Sequence, residues 1–414
     1  MSLAGNMFFF DFFGSRILLF QLLTLLAIPF YYSTNFKFLN KLIYGIRFEY
    51  FILVVLGIIF GFVMPWEDDS LILSWNQLAQ GRTIVALTRI LIEILLIYYV
   101  YSIFKNGKIK LSFFLTVVNS IIIFSSFFAF VDFVFNHSIY KFLFSEYNTI
   151  LDSRFIGFSH EPRSFGRLLI FPWVLLLIFK INNVSVRYQN PALIVGFIVI
   201  IASLSFSTYI LLILALIVLG YQRLYFSKFS NILLSFIFVS FFLFISFNII
   251  NKLDYFNEGL ISRYSMITKG KSDFQMKNEP LIFTSFEVFD RAALNFFYNN
   301  LNYIYFGTGP NLISIPASKY LDRSAMLTFE DTLVGIPSIG LFNHVSRAGL
   351  FGLLLYVFAF RRINKFIKIT NDKKNKELFI VSVFLYLLIS NPWIYFVIGF
   401  VIAQTQLSIK NNIV

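Results

Sequence analysis

Long apolar runs broken by short, mostly basic stretches set the rhythm of this chain. A helix needs roughly 20 apolar residues to cross a bilayer core, and runs near that length fall at 16–34, 48–66, 83–104, 111–134, 164–180, 231–250 and 341–360. Shorter ones continue the series at 191–204, 207–220, 378–390 and 393–408. The pattern predicts an all-α polytopic integral membrane protein of about 11 transmembrane helices, within a range of about 10–12. The interval 191–220 is read as a hairpin broken at the polar Ser203–Tyr209 stretch, because two spans there reconcile the charges on either side. No internal repeat and no low-complexity tract is present.

Composition agrees with the pattern. The chain is 58% hydrophobic and 13% charged, with a mean hydropathy of +0.77, whereas soluble domains carry about 25% charged residues. The formal charge of +13 lies largely in short loops between spans. That placement is the positive-inside signature of a membrane protein and not a nucleic-acid footprint. There is no cysteine, hence no disulfide framework and no Cys-ligated metal. The N-terminus lacks a basic region and a small-residue cleavage site, so no removable signal peptide is expected.

Lysine and arginine also set the expected orientation. Loops holding Lys37, Lys41 and Arg47, then Lys105 to Lys110, Lys180 and Arg187, Arg223 and Lys228, and Arg361 to Lys376 are expected to face the cytoplasm. Alternation then places 135–163, 251–340 and the Ser390-Asn391-Pro392 turn on the outer side of a single transmembrane domain spanning 1–414. Segment 251–340 is far longer than an ordinary connection, and such loops are usually functional. It is expected to fold down over the membrane domain.

Candidate chemistry gathers on that outer side. Between Arg154 and Arg167 the chain carries Arg154, His160, Glu161, Arg163 and Arg167, with Pro162 placed as the first residue of a span. Proline suits that position, and the free N–H groups behind it favour an anion such as phosphate. Arg163 and Arg167 are four apart and share a helix face, and charge at depth in a span is functional by default. Glu161 is a candidate general base, and His160 a candidate binding residue at the start of the same helix. Interfacial snorkelling of the arginines and dipole complementation by Glu161 are the structural alternatives. A second cluster, Asn343 to Gly349, brings His344 and Arg347 onto one face as base or hydrogen-bond donor and anion ligand. Arg291 precedes the glycine turn Gly307-Thr308-Gly309-Pro310. Arg89 and Glu93 stand four apart within a span, where they can neutralise one another locally. No metal site and no cofactor are expected: arginines supply the charge a diphosphate needs, and no P-loop, dinucleotide fingerprint or zinc-type spacing occurs.

The string Arg154-Phe155-Ile156-Gly157-Phe158-Ser159-His160-Glu161-Pro162 resembles the Arg-x-x-Gly-x-x-x-Glu-Pro motif of Wzy-type O-antigen polymerases. Arg291 with Gly307-Thr308-Gly309, and His344 with Gly349-Leu350-Phe351-Gly352, resemble the second-loop pattern shared by those polymerases and O-antigen ligases. Arg163 stands where a small residue is common, and Arg347-Ala348 where an acidic residue is often found before the last glycines. The resemblance implies a GT-C-like, metal-independent glycosyltransferase of the bacterial inner membrane with its active site on the periplasmic side. It implies undecaprenyl-diphosphate-linked glycans as substrates, transferred en bloc to the terminal sugar hydroxyl of a lipid-linked repeat. Membrane lipid and a chain-length regulator are the other implied partners, and nucleic acid is not. Arg154, Arg291, Glu161 and His344 would be catalytic. Arg163, Arg167, Arg347, His160 and Arg89 would bind diphosphate or glycan. An O-antigen ligase, a lipid-linked-oligosaccharide flippase and a membrane O-acyltransferase are the competing readings.

Overall fold

In hydrocarbon a backbone must satisfy its own N–H and C=O groups, so apolar runs of this length become helices. The computed structural model describes residues 9–12, 15–18, 35–66, 78–135, 137–138, 155, 162–203, 206–224, 280, 283, 288–320, 339–370, 372–389 and 391–413. Within them the chain is helical apart from one antiparallel hairpin, β1 (Phe9–Phe12) and β2 (Ser15–Leu18). The expected span at 16–34 is thereby corrected at its start, where residues to Leu18 are strand. Its ladder sets Asp11 opposite Arg16. The remainder of that run, and the run at 231–250, lie outside the described residues.

The other expected spans have helical counterparts. The helices in order are α1 (Lys37–Leu42), α2 (Tyr44–Ile58, continued by a π turn Ile59–Val63), α3 (Ala79–Lys105), α4 (Leu111–Val134) and α5 (Pro162–Ile181). Then come α6 (Gln189–Ala202), α7 (Phe206–Leu224), α8 (Val288–Asn299), α9 (Asn302–Phe306), α10 (Ser314–Ala317), α11 (Gly340–Lys368), α12 (Lys373–Leu388) and α13 (Trp393–Ile413). Among the described residues, 5 helices are long and apolar enough to cross a membrane: Tyr44–Val63, Ala79–Lys105, Leu111–Val134, Gly340–Lys368 and Trp393–Lys410. Their outer faces expose large apolar side chains such as Phe51, Phe124, Phe127, Leu354 and Phe358, a pattern that suits lipid. The protein is an α-helical membrane protein.

Helix ends sort by charge. At one end Arg362 donates to the Lys41 carbonyl, Lys105 to that of Asn35, and Glu377 takes both Arg223 and Asn182. The basic loops meet there. The opposite end gathers the close of α2, the starts of α3 and α5, and the close of α4, while the starts of α11 and α13 lie deeper. At that end Phe155 packs against Phe130 and Phe133, and deeper Ile339 bridges to Ile389. The polar break at 203 makes α6 and α7 separate helices, with Gly166 of α5 wedged against Ser203 and Thr208.

The helices are unequal in a way that matters. α13 starts beside Glu93, with Gly399 lying on Ile97 and Phe400 on Phe104. At a rise of 1.5 Å per residue, α3 continues for roughly 20 Å beyond that level. The close of α12 and the start of α13 therefore lie deep in the bundle. Non-helical backbone at such depth is tolerated where protein or a polar cavity surrounds it.

Residues 288–320 sit over this end. Ala292, Ala293, Phe296, Phe297, Ile313 and Ala317 form a small core of their own. Leu312 and Ile315 pack down on Ala79, Phe60 and Trp66. Trp66 stacks on Phe60 at 5.5 Å and donates its indole N–H to the Thr308 carbonyl at 3.3 Å. Arg82, at the start of α3, donates to Ser314. The described part of the long loop thus folds down over the helices, as its sequence suggested, though with a core the sequence did not announce.

Candidate functional site

At that depth lies a buried polar group assembled from α2, α3, α11, α12 and α13. Its centre is Arg347. One guanidinium nitrogen lies 2.9 Å from His344 Nδ1 and 3.4 Å from the Tyr386 hydroxyl, while Nε faces Glu49 Oε1 at 3.5 Å. His344 Nδ1 stands 3.6 Å from the same carboxylate oxygen. Tyr395 joins the rest: its hydroxyl is 2.6 Å from that of Tyr356 and 3.2 Å from that of Tyr386, and it hydrogen-bonds Glu93, which has Arg347 and Arg89 as its cationic neighbours. The imidazole of His344 is held between the Tyr356 and Tyr386 rings, at centroid distances of 4.5 and 5.0 Å.

These groups are deeply enclosed. Glu49 and His344 are each 1% exposed and Arg347 5%, whereas Glu93 and Arg89 are half-buried. Removing two charges from water is expensive, and only close pairing makes the arrangement tolerable. Intramembrane ionisable residues of this kind mark substrate paths, proton relays or catalytic sites.

Local sequence explains how Arg347 reaches this position. Gly349 breaks α11 with φ 66° and ψ −170°, a left-handed conformation that glycine adopts without a Cβ penalty. The carbonyls just before the break turn to the Gly307–Gly309 turn. Thr308 gives both its N–H (2.7 Å) and its hydroxyl (2.8 Å) to Ser346, and Gly309 gives its N–H to Arg347 at 3.2 Å. A Cβ on Gly307 would stand 2.6 Å from the Ala348 nitrogen, and one on Gly349 would collide with the Tyr305 carbonyl. Two glycine-bearing stretches far apart in sequence are thus one structural joint.

The residues singled out by sequence divide into three groups. His344 and Arg347 lie together at the centre, and Arg89 lies at the edge beside Glu93. The local Arg89–Glu93 pair is therefore part of a larger network that also takes in Arg347 and Tyr395. Arg291 stands half-buried on α8, in the 288–320 unit, and Arg167 half-buried one turn into α5. Arg154, His160 and Glu161 lie outside the described residues, as does the side chain of Arg163. Phe155, next to Arg154 in sequence, packs at the close of α4, the same end of the bundle as His344 and opposite the basic end.

Sequence reasoning passed over Glu49, Tyr356, Tyr386 and Tyr395. Glu49 carried a usable signal, a single carboxylate inside an apolar span. The tyrosines carried none among 22 tyrosines and 57 phenylalanines. A further buried pair, His137 Nδ1 to Asp132 Oδ2 at 2.7 Å, closes α4. It too went unnoticed. Among the described residues no three His, Asp or Glu side chains are grouped to hold a metal ion. No family model matches this sequence, and no curated protein matches it.

Proposed function

We propose that the protein is a membrane glycosyltransferase that polymerises lipid-linked glycan repeats, moving glycan from a polyprenyl diphosphate to a sugar hydroxyl. The observation that carries this reading is the joint between the Gly307–Gly309 turn and the His344–Arg347 segment. It sets a hydrogen-bonding imidazole and a fixed guanidinium under an outer loop unit, at the end of the bundle opposite the basic loops. By the positive-inside rule that end faces away from the cytoplasm, where the lipid-linked repeats of a bacterial inner membrane are assembled into polysaccharide. Arg347, with Arg291, Arg167 and Arg154, would meet the charge that develops on the departing diphosphate. A guanidinium already fixed by His344 and Tyr386 loses little freedom in doing so. The acceptor hydroxyl loses its proton as the new C–O bond forms, and the sugar's bond to diphosphate breaks with its electron pair leaving on phosphate oxygen.

The test is incubation of the purified protein in nanodiscs with a lipid-linked repeat unit and EDTA. A ladder of polymer lengths supports the reading, and unchanged repeat unit sinks it. Transfer to lipid A core in place of a second repeat would make the protein a ligase using the same chemistry.

One observation favours a second reading. The hydroxyl chain from Arg347 through Tyr386 and Tyr395 to Glu93 lies deep among the helices, as a proton-coupled flippase would need. Proteoliposomes that translocate fluorescent lipid-linked glycan under a proton gradient, without forming polymer, would establish it.

A further inference from the structure

Three buried polar atoms face one another without bonding. Among the described residues neither carboxylate oxygen of Glu49 nor the Nε of Arg347 closes a hydrogen bond, although Nε and His344 Nδ1 lie 3.5 and 3.6 Å from Oε1. A charge-assisted N–H···O bond closes to about 2.7–2.9 Å, so this pair stands apart. Arg347 cannot slide onto the carboxylate freely, because its terminal nitrogen is committed to His344 and Tyr386. Buried donors and acceptors are almost always satisfied, and orphans grouped at one spot point to a small polar occupant.

The neighbouring histidine is not suited to take a proton there. A guanidinium only donates, and one Arg347 nitrogen lies 2.9 Å from His344 Nδ1 and 3.4 Å from Nε2, so a ring lone pair is already committed to it. What remains is a carboxylate with both oxygens open.

We propose that Glu49 and Arg347 hold one O–H group between them, and that Glu49 is the proton acceptor of the reaction. The O–H donates to a Glu49 oxygen, and its oxygen accepts from Arg347 Nε–H. This rests on the transferase reading above. As the hydroxyl oxygen bonds to the sugar carbon, its proton passes to Glu49 and the diphosphate leaves with the electron pair of the broken bond. The same place accepts the O–H of water or of a sugar, and the two are separable.

The experiment uses the full chain in nanodiscs with a synthetic polyprenyl-diphosphate-linked repeat as donor, with and without a lipid-linked acceptor. Glu49→Gln should lower kcat on the order of 100-fold or more with KM changed by less than about threefold, and Glu49→Asp should recover part of the loss. Melting temperatures matched to wild type establish that the variants are folded, and Glu49→Asp serves if Glu49→Gln does not fold. Release of free glycan from donor alone, abolished by Glu49→Gln, identifies water as the occupant; polymer formed only with acceptor identifies the sugar hydroxyl. Wild-type-like turnover by Glu49→Gln overturns the proposal and spares the transferase reading. Recovery of rate in the doubly neutral Glu49→Gln/Arg347→Gln protein also overturns it, because Glu49 would then only balance a charge. If wild type makes neither polymer nor free glycan, the transferase reading falls and this assignment falls with it.

Discussion

Thr308 and Ser346 are joined twice: the backbone N–H and the hydroxyl of Thr308 both end on the Ser346 carbonyl, at 2.7 and 2.8 Å. That oxygen lies three residues before the break in α11, where the helical ladder no longer supplies a donor. The Gly307–Gly309 turn therefore completes the hydrogen bonding of the helix that carries His344 and Arg347.

Replacing Thr308 with Val keeps the N–H bond and removes the second. Loss of one buried hydroxyl bond costs about 1–2 kcal/mol. A lowered melting temperature, together with faster proteolysis within 288–320, is the expected result. Unchanged protection of that unit would mean the hydroxyl does not hold it.

Gly349→Ala should be far more damaging than Gly107→Ala. Both glycines have φ near +66°, but nothing lies within 4 Å of a Cβ on Gly107, whereas one on Gly349 meets the Tyr305 backbone. The strain alone is about 1–2 kcal/mol, so Gly107→Ala reads that component and Gly349→Ala adds displacement of α9. Comparing folded yield and melting of the two proteins in detergent checks the difference.

Arg347→Ala leaves the Glu49 and Glu93 carboxylates buried without their shared cation. Breaking a buried pair from one side costs roughly 3–5 kcal/mol, so low folded yield is expected. Arg347→Lys keeps the charge but not the fork that reaches His344 and Tyr386 together. It should fold better than Arg347→Ala and still fail to build polymer, and a fully active Arg347→Lys protein would contradict the role given to the guanidinium.

Tyr395→Phe removes the hydroxyl that Tyr356, Tyr386 and Glu93 share. Several orphaned groups cost more than one, so a loss of about 2–4 kcal/mol is expected. Under the flippase reading the same change stops proton-coupled transport while leaving any glycan transfer in place. Measuring both activities in one preparation tells the readings apart.

His137→Ala should destabilise the close of α4 by about 1–3 kcal/mol by leaving buried Asp132 without its 2.7 Å partner. Asp132→Asn retains a partner for the ring and should cost less. Hydrogen exchange at the end of α4 reports both.

Hydrophobic pattern located the helices well because a span has few ways to be written. The run read as 111–134 is helical over Leu111–Val134, and the polar break near Ser203 separates α6 from α7. Helix depth was not legible. Nothing in the local sequence says that the start of α13 lies beside Glu93, because depth is fixed by packing of α13 on α3 and not by local composition. His344 and Arg347 were legible from their spacing. Glu49 was not paired with them, since its partners lie some three hundred positions away. The N-terminal hairpin was missed because Phe and Leu serve a strand as readily as a span.

At the basic end, Glu377 receives Asn182 at 2.7 Å and Arg223 at 3.1 Å, so three helices share one carboxylate clasp there. A bundle stapled at that foot can splay only at its head, like tongs about a rivet. Parting of the helices at the opposite end then needs no matching breach at this one.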